Sequence, residues 1–197
     1  MDNRKLKLKA ASFDVRSFIA NIKNNSSVIM LLSLFACGLI IGTLSVKNSE
    51  YSRYLLSVFV IQGTDAVRML INGSFAVIFV ITVNFMMGLC LVGAPLIYFM
   101  SAFEGVGFGA LYGYRLHSYG YVGIGSYFAT DLLFLILLFV IFICMQYTAI
   151  AMSDSLKIYF IKRKGVVNLR MYIMKTAIFL ISAVFLIVIK VFLKLVI

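Results

Sequence analysis

Four polar side chains interrupt otherwise apolar stretches of this 197-residue chain: Glu104, Asp131, Asn84 and Gln146. Polar and ionisable groups inside such stretches are expensive in lipid and mark functional or packing sites. Glu104 lies about ten residues into its stretch. Burying an acidic group at that depth costs roughly 3 kcal/mol on insertion scales, offset by about six strongly apolar residues at about −0.3 to −0.6 kcal/mol each. A carboxylate there has two readings. One is a site for an ion, a proton or a substrate. The other is a protonated or hydrogen-bonded packing residue. Asp131 stands where a later apolar stretch begins, a place suited to capping a helix N-terminus. Asn84 and Gln146 have the types that hydrogen-bond between membrane helices. A translocation pathway would need more such groups along one face.

Other chemistry finds little support. His117 is the only histidine and stands beside Tyr119 and Tyr121 in an expected outer loop. There is no H-E-x-x-H, no pair of metal-binding carboxylates and no G-x-S-x-G, so no metal or nucleophile site is expected. Gly105-x-Gly107-x-Gly109 suggests a phosphate loop, but it lacks a preceding strand and a lysine. Cys37, Cys90 and Cys144 lie apart in apolar segments, giving neither a disulfide framework nor a zinc pattern. No ATPase motif is present, so ATP-driven work would need a partner. The expectation is a non-enzymatic chain without a cofactor.

The elements that must position these residues are membrane helices. The chain is 63% hydrophobic and 13% charged, with a mean hydropathy of +1.06. A soluble fold could not hide so much apolar surface, so an all-α polytopic membrane bundle is expected. Five spans are read, at about 28–46, 75–92, 95–114, 132–152 and 173–196. They form one bundle over residues 27–197, with no separate soluble domain. Residues 1–26 are polar and basic. Val15, Phe18, Ile19 and Ile22 fall at helical spacing after Ser12, a plausible N-cap. This segment reads as a surface amphipathic helix, and it is expected to be retained rather than cleaved.

Residues 47–73 read as two interfacial helices, broken at Gly63 and stopped at Asn72-Gly73. Gly93-Ala94-Pro95 makes an uncharged turn between the second and third spans, with Pro95 in the first turn of the third. The Gly- and Tyr-rich residues 121–131 read as an interfacial or re-entrant piece.

Small residues supply the packing faces. Gly105-x-x-x-Gly109-x-x-x-Gly113 stacks on one face of the third span beside Glu104, and Gly38-x-x-x-Gly42 on the first. Such faces let backbones approach closely. The ladder suits contact within the chain or between two copies, so a homo-oligomer stays open.

The formal charge is +11. Twelve of the 18 Lys and Arg residues flank spans in two segments, the N-terminal tail and residues 157–175. That pattern indicates topology and anionic headgroups rather than nucleic acid. The positive-inside rule puts the N-terminus in the cytoplasm and the C-terminus outside. Lys162-Arg163-Lys164 is the candidate docking segment for a cytoplasmic partner.

The order of several of these pieces resembles the stage II sporulation protein M family of bacterial membrane proteins. The matching pieces are NNSSVIMLLSLFACGLIIG, Ile71-Asn72-Gly73, and the series Gly88, Gly93-Ala94-Pro95, Glu104-Gly105 and Gly109. The resemblance covers about residues 24–155. It implies a scaffold in the bacterial cell membrane without catalysis of its own, holding cell-wall hydrolase partners. Other relatives in the family accompany a separate ATPase, which implies the alternative of a permease-like subunit in peptide or bacteriocin export and immunity.

Overall fold

The computed structural model describes residues 26–46, 66–130, 132–162 and 167–196. They form five helices: α1 (Ser26–Ser45), α2 (Ala66–Gly88), α3 (Gly93–Thr130), α4 (Leu132–Lys162) and α5 (Leu169–Val196). Four contain a stretch long and apolar enough to cross a membrane, and the apolar part of α2, Gly73–Gly88, is shorter. In lipid the helix satisfies every backbone group within one segment, which favours it over any open strand. Asn168 caps α5: its Oδ1 accepts from the Met171 amide at 3.1 Å, and its carbonyl from Tyr172 at 3.2 Å.

Residue pairings fix the helix directions. Leu31, Leu39 and Thr43 of α1 meet Ser101, Gly109 and Gly113 of α3 in the same order, so these helices run parallel. The turn at residues 89–92 folds α2 back against α3. Its bonds from Leu89 N to Met86 O, Cys90 N to Met87 O and Gly93 N to Cys90 O span 3.0–3.1 Å. Ala94 and Ile97 pack with Ala149, Ile150 and Met152, whereas Glu104 meets Gln146, so α4 opposes α3. Tyr172 meets Phe85, and Lys190 sits 4.5 Å over the Phe134 ring. Thus α5 opposes both α2 and α4. The five helices alternate up and down.

Two apolar cores fill the interior. One joins Val77, Val80 and Ile81 of α2 to Leu138, Phe142 and Met145 of α4 and to Ala183, Ile187 and Val191 of α5. The other joins Val28 and Leu31 of α1 to Ala94 and Ile97 of α3 and to the following turns of α4, with Tyr172 of α5. The outward faces are apolar too, as at Ile178, Ile181, Phe185 and Phe192 of α5. So large an exposed apolar surface suits lipid, not water.

Several boundaries differ from the sequence reading. Asn72-Gly73 does not stop a helix, because α2 runs through it from Ala66. The pair breaks helices when water can take the freed backbone groups, but α2 keeps its own hydrogen bonds and packs on α4 and α5. The second span closes at Gly88 rather than Val92. Residues 121–130 form no separate interfacial or re-entrant piece, because α3 continues without a break to Thr130. Its glycines each weaken a helix by about 1 kcal/mol, but no proline removes a donor, so propagation continues. At 38 residues α3 is about 57 Å long and outreaches a ~30 Å hydrocarbon core. Likewise, α4 extends ten residues past Met152. The basic tail with Ser12, the break at Gly63, Asp131, Arg163 and Lys164 lie outside the described residues.

Candidate functional site: a buried polar junction of three helices

The site begins with the contact between α1 and α3. A Cβ built on Gly105, Gly109 or Gly113 would meet the carbonyl oxygen of Phe35, Leu39 or Thr43. Reciprocally, a Cβ on Gly38 or Gly42 would meet the carbonyl of Ala102 or Val106. Each glycine therefore points a Cα hydrogen at a backbone oxygen of the other helix, a contact worth about 0.5–1 kcal/mol. The three glycines of the ladder and the two of α1 serve one interface within the chain. Ser101 adds a bond from its Oγ to Leu31 O at 3.0 Å. Phe35 fills the flank of this contact, with its ring centroid 5.6 Å from Phe108 and 4.2 Å from Phe139.

This contact occupies one face of α3 and leaves Glu104 turned toward α2 and α4. Asn84 Nδ2 donates to Glu104 Oε1 at 3.1 Å, and Gln146 Nε2 donates to Glu104 Oε2 at 2.9 Å. All three side chains are at most 1% exposed. Asn84 Nδ2 also donates to Val80 O at 3.1 Å, one turn back on α2. Three helices thus share one carboxyl group, each oxygen serving a different helix. Met145 of one apolar core and Ala149 of the other flank Gln146, so the junction lies between the cores. Asn84 Oδ1 and Gln146 Oε1 are buried without a hydrogen-bond partner. A buried polar atom left unpaired costs about 1–3 kcal/mol, so these two oxygens are the least settled part of the interior.

Beside the hairpin turn, a second set of bonds fixes the registry of α2, α4 and α5. Ser153 Oγ donates to Cys90 O at 2.9 Å, and Tyr172 OH donates to Phe85 O at 3.0 Å. The Tyr172 and Phe85 rings stack at 5.1 Å and 10°. Gly88 makes room for the hydroxyl, since a Cβ there would strike Tyr172 Oη. Sequence reasoning missed Ser101, Ser153 and Tyr172. Serines and tyrosines are common near span ends, and nothing in their spacing singles these out.

Of the residues singled out in the sequence, Glu104, Asn84 and Gln146 come together. His117 is exposed on the far extension of α3, away from the junction. Lys162 closes α4. Among the described residues no group of three or more His, Cys, Asp or Glu side chains is placed to hold a metal. No family model, curated protein or solved structure matches the chain. The junction and the helix directions therefore carry the functional reading.

Proposed function

We propose that this chain is a non-enzymatic membrane subunit that holds partner proteins at a bacterial cell membrane, as its resemblance to the stage II sporulation protein M family implies. The observation that carries this reading is the closed junction. Glu104 takes both its hydrogen bonds from Asn84 and Gln146, buried at the meeting point of three helices and away from the surface. Such an arrangement sets the relative positions of helices and leaves recognition to the bundle's ends. The basic segment that carries Lys162, Arg163 and Lys164, between α4 and α5, is the docking face in this proposal. Arg170 and Lys175 of α5 are exposed, and Lys157 of α4 pairs with Asp154 at 3.4 Å.

The proposed topology has five spans, the N-terminus in the cytoplasm and the C-terminus outside. Two observations support it. Because α1 and α3 run parallel, the chain recrosses between them, and α2 runs in the required direction. The apolar 16 residues of α2 span about 24 Å, within reach of the bilayer core once the preceding turns are added. Reporter fusions after residues 120, 165 and 197 are expected to read outside, inside and outside. An external signal at 165 would sink the arrangement.

Partner capture tests the function. Affinity purification of the full chain from detergent-solubilised membranes is expected to bring down cell-wall hydrolases, and the triple substitution Lys162→Ala, Arg163→Ala, Lys164→Ala is expected to reduce capture about tenfold. That factor corresponds to about 1.4 kcal/mol. If an ATPase co-purifies through residues 153–172 instead, the exporter reading replaces the scaffold. Capture that ignores the triple substitution would remove the docking face from the proposal.

A further inference from the structure

The two unpaired amide oxygens point beyond simple packing. Asn84 Oδ1 and Gln146 Oε1 are orphans in the same fully buried cluster that holds Glu104. Among the described residues, the polar partners of Glu104 are the two amides alone. Two acceptor oxygens are thus left unpaired beside a carboxyl group that, among the described residues, no cationic side chain contacts. What the cluster lacks is a compact positive charge that accepts several oxygens at once.

The amides can present those oxygens without moving the helices. Their terminal torsions are broad and roughly two-fold, so a half-turn exchanges oxygen for nitrogen; it gives up the three amide N–H bonds of the ion-free arrangement, a loss that ion coordination must offset. After the half-turn, Asn84 Oδ1 lies beside Glu104 Oε1 and Gln146 Oε1 beside Glu104 Oε2, near the present separations of 3.1 and 2.9 Å. Two amide oxygens, one from α2 and one from α4, then stand beside the two carboxyl oxygens of α3. The Val80 carbonyl, which Asn84 Nδ2 now contacts, adjoins them.

Oxygen-only ligands suit hard cations, which they hold at about 2.3–2.6 Å in calcium sites. Soft metals need sulfur or imidazole, and the junction offers neither. One carboxylate balances one positive charge. A divalent ion would leave a net charge in the apolar core, where charge is heavily penalised.

We propose that the Glu104–Asn84–Gln146 junction is a binding site for one dehydrated monovalent cation, with sodium the ion to test. Binding would neutralise the carboxylate, pair both orphan oxygens and tie α2, α3 and α4 together. This goes beyond the scaffold proposal and does not depend on it.

The test uses the full chain in detergent, with radioactive sodium and with melting curves at constant ionic strength. Saturable binding near one ion per chain is expected. The melting temperature should rise by about 3–5 °C for each tenfold increase of sodium above its Kd, with choline as the balancing ion. Glu104→Gln should remove both responses, and Gln146→Met should weaken binding about tenfold or more. Absence of saturable binding by the wild-type chain overturns the proposal, whatever the variants do. Equal melting in sodium and choline overturns it as well. So does undiminished binding by both variants, and the wild-type measurements decide the matter if a variant does not fold.

Discussion

Gly109→Leu is expected to separate α1 from α3 and to lower the yield of folded protein severely. The reason is the identity of the atoms in the way. A single Cβ at this position already meets the Leu39 carbonyl, with the Leu39 carbonyl carbon at 2.9 Å and its Cα at 3.0 Å. These are backbone atoms of a helix, so no rotamer change relieves the clash. The whole of α1 must shift, and the register it shares with Gly38, Gly42, Gly105 and Gly113 is lost with it.

Overpacking in cores costs typically about 1–3 kcal/mol. Here the carbonyl contacts of neighbouring glycines would go too, at about 0.5–1 kcal/mol each. A loss of about 3–5 kcal/mol follows, comparable with the total stability of many domains. Phe99→Leu, at a side chain 69% exposed on the same helix, is the control. It should change stability by no more than about 0.5 kcal/mol. Detergent denaturation would read the difference. Equal stability of the two variants would refute close packing by the ladder.

Both glycine faces were legible in the sequence because four-residue spacing of small residues has one strong physical use in lipid. That the two faces meet each other was not legible. Each spacing specifies a smooth stripe, but neither specifies which other stripe it contacts. The three polar residues were likewise visible one at a time. Glu104 and Asn84 lie 20 residues apart on the two arms of a hairpin, and Gln146 follows 42 residues after Glu104 on the next helix. Their common height emerges only when the turn at residues 89–92 and the long α3 set the register. Length misled in the opposite direction. Glycines at 120, 123 and 125 signal a break in water, yet α3 passes through them. The five helices themselves were readable because hydropathy reports burial in lipid directly, whereas helix ends depend on contacts that hydropathy does not encode.

Glu104→Leu is expected to destabilise the bundle by about 3 kcal/mol even though it makes α3 more apolar. Two effects oppose each other. Leucine favours insertion of α3 into the bilayer by several kcal/mol over an acidic residue. That gain is present whether or not the helices are packed together, so it largely cancels from the association of inserted helices. What remains is the junction. Two interhelical hydrogen bonds vanish, at about 0.6 kcal/mol each on average in membrane proteins and at most about 1.7. The Gln146 nitrogen then joins the two orphan oxygens as a buried group facing an apolar side chain, at about 1–3 kcal/mol, whereas Asn84 Nδ2 keeps its bond to Val80 O.

Removing all the polar members should be far milder. The triple variant Asn84→Leu, Glu104→Leu, Gln146→Met deletes every group that needs a partner, and such replacements are often nearly neutral or stabilising. Denaturant titrations in choline give the comparison free of sodium. A triple variant more stable than Glu104→Leu alone would show that the carboxyl group's structural role is to satisfy its neighbours. A triple variant as unstable as the single one would mean that leucine at this position fails on shape, and the hydrogen-bond account of the junction would fall.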